Sequence, residues 1–196
     1  MKLRRGFKAD AERLGLEVRA ELGLTAFDRL DPRKLAEHLA IPVYSLRDVE
    51  EWGGVEKSAR HLMSTGGEFS AMTLFFGSFR LIIENPAHSA SRRSNSMCHE
   101  LSHTLAEHAP QPVRAKSGAR VWTPEMEAEA DWLAGELLIP RAGALQLARD
   151  SVPAEIAAER FGVSPALASW RLNHSGARTQ AERERRRCRG NYRRAI

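Results

Sequence analysis

His99-Glu100-Leu101-Ser102-His103 sets two imidazoles four residues apart, with a carboxylate beside the first. On an α-helix, positions i and i+4 lie one above the other, so both rings can reach a single cation. Glu100 is turned about 100° from His99 and can face water held by that cation. A hydrolytic zinc site needs this set: neutral nitrogens as ligands, an open coordination position and a base within reach.

Two histidines leave such a site one ligand short, because three protein ligands are usual. The stretch Glu125-Met126-Glu127-Ala128-Glu129-Ala130-Asp131 supplies acids on a helix that Thr123-Pro124 opens and Pro140 ends. Met126, Ala130, Leu133 and Leu137 mark its apolar stripe. Glu127 and Asp131 lie on an adjoining face, and carboxylates buried beside such a stripe need partners. Zinc bound by Glu127, with Asp131 accepting the far N–H of a ligating histidine, satisfies both. Glu129 faces elsewhere and is the alternative ligand.

The elements that must carry these residues can be read from periodicity and punctuation. Residues 8–23 form an amphipathic helix with Gly23 as a stop, and Asp31-Pro32 opens a second helix reaching about Ala40. Ile41-Pro42-Val43-Tyr44 reads as a short strand, at an edge because of its proline. Gly53-Gly54 and Gly66-Gly67 interrupt residues 45–68, whose elements have no clear period. Ala71–Phe76 and Phe79–Ile83 flank Gly77-Ser78 as a hairpin. The histidine helix is expected to start near Ser91 to Ser94, and residues 109–121 to form a loop. Short helices follow near 141–150, 153–161 and 164–173.

Three spaced segments carry a family resemblance: His99-Glu100-Leu101-Ser102-His103, then Glu127 to Ala134, then Glu136-Leu137-Leu138-Ile139-Pro140. Together with the strand and turn Phe79 to Pro86 before the histidines, they resemble the ImmA/IrrE family of bacterial metallo-endopeptidases over about residues 30–175. The resemblance implies an α+β fold: a mainly helical, zincin-like metallopeptidase domain with a small antiparallel or mixed sheet. It implies Zn2+ held by His99, His103 and Glu127, with Glu100 activating zinc-bound water and Asp131 orienting a ligand from behind. It further implies a regulatory protein as substrate, of the helix-turn-helix repressor kind. Cys98 stands where an alanine is common in the family, and it should point away from the metal. No oxyanion-stabilising residue is assigned; His108 and His174 read as surface or packing histidines.

Residues 154–172 have helix-turn-helix form, with Gly162 at the turn and Ser164-Pro165 capping the second helix. Base reading wants Arg, Lys, Asn or Gln near the start of that helix, and Pro165-Ala166-Leu167-Ala168-Ser169 offers none. A structural or partner-binding role is favoured. The organisation expected is therefore a metallopeptidase domain over 1–140, a helix-turn-helix-like segment over 141–175 and a basic, disordered tail over 176–196.

Composition narrows the classes. The 196 residues are 42% hydrophobic and contain no apolar run of membrane-spanning length, so no membrane role is expected. Two cysteines, Cys98 and Cys188, build no disulfide framework and point to a cytoplasmic protein. The net charge of +5 sits at the end of the chain, where eight arginines outnumber Glu182 and Glu184. That tail could contact nucleic acid weakly. The competing function is a DNA-binding or partner-binding regulator, toxin–antitoxin-like, in which zinc is structural.

Overall fold

Three helices begin where a capping side chain precedes a proline. In the computed structural model Asp31 accepts from the Arg33 N–H, Thr123 from Met126 and Ser164 from Leu167. Each satisfies one amide that the first helical turn would leave bare. The structure describes residues 2–51, 60, 61, 63, 70–76, 79–108 and 122–194. Within them run α1 (Phe7–Glu21), α2 (Pro32–His38), β1 (Val43–Ser45), α3 (Leu46–Glu51), β2 (Ala71–Phe76) and β3 (Phe79–Glu84). There follow α4 (Ala90–Leu105), α5 (Pro124–Leu138), α6 (Arg141–Arg149), α7 (Ala154–Phe161), α8 (Pro165–His174) and α9 (Ala177–Arg194). The fold is α+β and mainly helical.

The sheet is mixed, in the order β1-β3-β2. β2 runs antiparallel to β3, with Thr73 opposite Ile82 and Phe76 opposite Phe79, while β1 runs parallel to β3. β1 is at an edge, as Pro42 predicts. Central β3 buries consecutive residues, Leu81, Ile82 and Ile83, because both of its faces are covered. Ile82 faces the main core; Leu81 and Ile83 face Leu46 of α3. The Gly77-Ser78 turn, both Gly-Gly pairs and the 109–121 loop lie outside the described residues.

α4 packs on the sheet on one side and on α5 on the other. One buried cluster joins Phe7, Leu35, Leu101, Leu133, Leu137, Phe161 and Ala181, so the helices after Pro140 share the core that supports α4 and α5. Two arginines are fully buried in it. The Arg19 guanidinium donates to carbonyls of Thr25 (2.8 and 3.0 Å), Leu137 (2.5 Å) and Asp28. Arg171 pairs with Glu136 and donates to the Ile139 carbonyl at 3.0 Å, tying α8 to the end of α5. Burial pushes the pKa of both guanidiniums down, opposed by the nearby Asp28 charge for Arg19 and by Glu136 for Arg171.

Two expectations are corrected. α4 starts at Ala90 with Ser89 as its cap, upstream of Ser91 to Ser94, because Ser89 keeps an extended backbone and accepts from Arg92. The basic end is not a disordered tail: it is helical over Ala177–Arg194. Ala177 and Ala181, four apart and buried, let α9 approach closely, and Glu184 takes two hydrogen bonds from Arg149 of α6 at 2.9 and 3.0 Å. Arginine abundance hid this small-residue stripe.

Candidate metal centre

α4 is amphipathic along its length. Met97, Cys98, Leu101 and Ser102 face inward, and Cys98 packs in the core rather than toward His99. His99 and His103 share the edge facing α5, with Nε2 atoms 3.1 Å apart. Glu127, on the first turns of α5, points a carboxylate oxygen at each ring: Oε2 lies 3.2 Å from His99 Nε2 and Oε1 lies 3.8 Å from His103 Nε2. One donor atom from each of His99, His103 and Glu127 falls within 4.8 Å of the others.

The outward nitrogens are already engaged. His99 Nδ1 lies 2.9 Å from Asp131 Oδ1. His103 Nδ1 lies 2.9 Å from Nδ1 of His108. With Nδ1 occupied on both rings, the Nε2 atoms are the ones left to face a cation. Trp122 stacks on His103 with centroids 4.2 Å apart and covers that ring. Two imidazole nitrogens and one carboxylate oxygen form a donor set that suits zinc.

Electrostatics separate the two histidines. Burial alone would lower both. For His99, hydrogen bonds with Asp131 and Glu127 outweigh burial and raise the pKa to about 10. For His103, burial together with the neighbouring His99 charge lowers it to about 4. The hydrogen bond with His99 holds Glu127 below the usual carboxylate range, against partial burial.

Glu100 faces the sheet side of the same opening. Its Oε2 accepts from the Thr73 N–H at 3.1 Å and from the Thr73 hydroxyl at 2.6 Å. Burial pushes its pKa up, and the Thr73 hydrogen bonds oppose that shift. A polar cleft of about 320 Å3 opens beside it, lined in part by Ser70, Arg92, Asn95, His99, Glu100 and Asp131. A larger cavity of about 660 Å3 lies between the N-terminal segment and Trp132 and Trp170, and its lining includes none of His99, Glu100, His103 and Glu127.

The family model for Peptidase_M78, the IrrE N-terminal-like domain, matches residues 36–173. The chain belongs to the ImmA/IrrE family of metallopeptidases. No curated protein and no solved structure matches it. The match in this ImmA/IrrE chain takes in α4, α5, the sheet and both helices of the helix-turn-helix-like segment. Among the described residues no helix is long and apolar enough to cross a membrane.

Sequence reasoning brings His99, His103, Glu127 and Asp131 to one place, but one of its premises is corrected. Glu127 and Asp131 are not buried: their side chains are 43% and 61% exposed. The buried acids of α5 are Glu129 and Glu136. Glu129 faces His108 and Arg4 instead of the cluster of His99, His103 and Glu127. His108, read as a plain histidine, sits against His103, whereas His174 is exposed and stacks on Trp170. Thr73 and Trp122 were missed because their reach depends on how the sheet and the end of a loop pack on α4.

Proposed function

We propose that this ImmA/IrrE metallopeptidase is a zinc-dependent endopeptidase that cleaves a regulatory protein, of the helix-turn-helix repressor kind. The observation that carries the reading is the convergence of His99, His103 and Glu127 beside the Glu100 carboxylate, at the mouth of a polar cleft. A zinc ion held there would supply Lewis acidity, lowering the pKa of coordinated water to about 7.

The chain's own groups have distinct tasks. His99, His103 and Glu127 are the ligands, and Asp131 holds His99 with Nε2 forward. Glu100 takes the proton of the attacking water and returns it to the departing amine nitrogen. Thr73 holds its Oε2 with two hydrogen bonds, and the proton transfer is assigned to the other oxygen, Oε1. An extended substrate enters along the cleft beside β2, the edge strand that carries Thr73.

A structural zinc needs a closed shell. The half-exposed Glu127 carboxylate and the adjoining cleft favour an open site over that alternative. The decisive experiment incubates zinc-loaded protein with a helix-turn-helix repressor, the kind of substrate the family resemblance implies, and compares Glu100→Gln. Specific cleavage by the wild type, abolished in a Glu100→Gln protein that retains zinc, is the expected result. Loss of zinc in Glu100→Gln would overturn its role as base, and undiminished cleavage would overturn it equally.

A further inference from the structure

We propose that His108 and Glu129 form a positioning relay behind His103, so that the two candidate metal-binding histidines are held by different devices. The inference rests on the reading of His103 as a ligand. His99 meets its carboxylate directly, through Asp131. His103 reaches one through a second imidazole: its Nδ1 lies 2.9 Å from His108 Nδ1, and His108 Nε2 lies 3.2 Å from Glu129 Oε2.

The protons follow one consistent order. With His103 Nε2 turned to the metal, its Nδ1–H donates to His108 Nδ1, and His108 Nε2–H donates to Glu129 Oε2. In this order each ring donates outward, and the chain ends on the Glu129 carboxylate and its negative charge. Arg4 meets that charge at Glu129 Oε1, with its backbone N–H at 3.4 Å and Nε at 3.3 Å. The relay is sealed where Asp131 is open: the side chains of His108 and Glu129 are 5% and 10% exposed.

The backbone is shaped to make this contact. α4 ends in a Schellman motif: Glu107, at φ 53°, bonds back to the Thr104 carbonyl at 3.0 Å and His108 N–H to the His103 carbonyl at 3.0 Å. Such motifs commonly bring an apolar pair together at these two positions. Here the pair is His103 and His108. A left-handed glutamate is disfavoured on its own, and the turn it makes sets His108 against His103.

The test measures zinc affinity of the full chain by chelator competition, with zinc alone as probe. His108→Leu and Glu129→Leu should each weaken binding by about 10–100-fold, the range for groups that orient a ligand. Glu129→Gln, which keeps an acceptor for His108, should lose less than Glu129→Leu. The double variant His108→Leu/Glu129→Leu should bind no worse than its weaker parent, because both changes break one chain. His108→Leu/Asp131→Asn should multiply its losses, because these act on different rings. His108→Leu within about twofold of wild type, or multiplied losses in His108→Leu/Glu129→Leu, would overturn the relay. His103→Ala separates the layers. If it keeps wild-type affinity, the ligand reading and the relay both fall; if it loses zinc while His108→Leu retains it, the relay alone falls.

Discussion

Thr73 grips Glu100 with two donors, its N–H and its hydroxyl, and both end on the same carboxylate oxygen. β2 therefore does more than complete the sheet. It fixes the rotamer of the proposed base and leaves one oxygen toward the cleft. Thr73→Val keeps the β-branched shape and the N–H while deleting the hydroxyl. A hydrogen bond to a charged group contributes about 1.5–3 kcal/mol. The expected outcome is a kcat lowered about tenfold on a protein substrate, with zinc content unchanged. Loss of zinc in this variant would mean that Thr73 supports the site as a whole.

The buried Arg171–Glu136 pair joins α8 to α5. Removing one partner strands a charge in the core, at a cost of about 3–5 kcal/mol. Glu136 also accepts from the Arg141 N–H at 2.6 Å, at the start of α6. Glu136→Leu should thus move the urea midpoint sharply down. Glu136→Leu/Arg171→Leu should recover part of the loss, since no unpaired charge remains. A midpoint equal to wild type in Glu136→Leu would contradict the pairing.

α9 is expected to loosen in acid. Hydrogen bonds from Arg149 and from Gln180, with Arg187 nearby, lower the pKa of Glu184 to about 2. Arg149 is correspondingly raised, by its hydrogen bond with Glu184. For a carboxylate held below its ordinary value, the stabilisation is fully present above about pH 4.5 and is lost as pH falls toward 2. Hydrogen exchange of α9 amides should accelerate across that window relative to α5, beyond the intrinsic pH dependence. Glu184→Gln should remove the difference. Equal protection of both helices across the window would contradict this docking.

The two cysteines should differ in reactivity. Cys98 is fully buried, and burial pushes its thiol well above the usual value, whereas Cys188 is exposed on α9. Because the thiolate is the reactive form, one thiol per chain should react promptly with an aromatic disulfide in native protein. The second should follow only on unfolding. Two fast thiols would place Cys98 outside the core.

The legible parts of the fold were those with local signatures. Asp31-Pro32, Thr123-Pro124 and Ser164-Pro165 announce helix starts through their own backbone chemistry, and the short apolar run Leu81-Ile82-Ile83 announces a strand. His99, His103, Glu127 and Asp131 were legible because helical spacing alone puts each pair on one face. The contacts that complete the site are not local. His108 meets His103 through a turn built on a left-handed Glu107, where no glycine marked the helix end. Glu129 is engaged by Arg4, which is 125 residues away in sequence. The basic segment misled because its composition outweighs two alanines, although Ala177 and Ala181 are what seat it.

The central claim is that one metal is gripped jointly by α4 and α5. It is tested most directly by the zinc bound per chain, measured by elemental mass spectrometry at matched free zinc, in wild type, Glu127→Ala and Glu125→Ala. The account predicts one zinc per chain in wild type and in Glu125→Ala, and a large loss in Glu127→Ala. Full occupancy in Glu127→Ala, or none in the wild type, would contradict it.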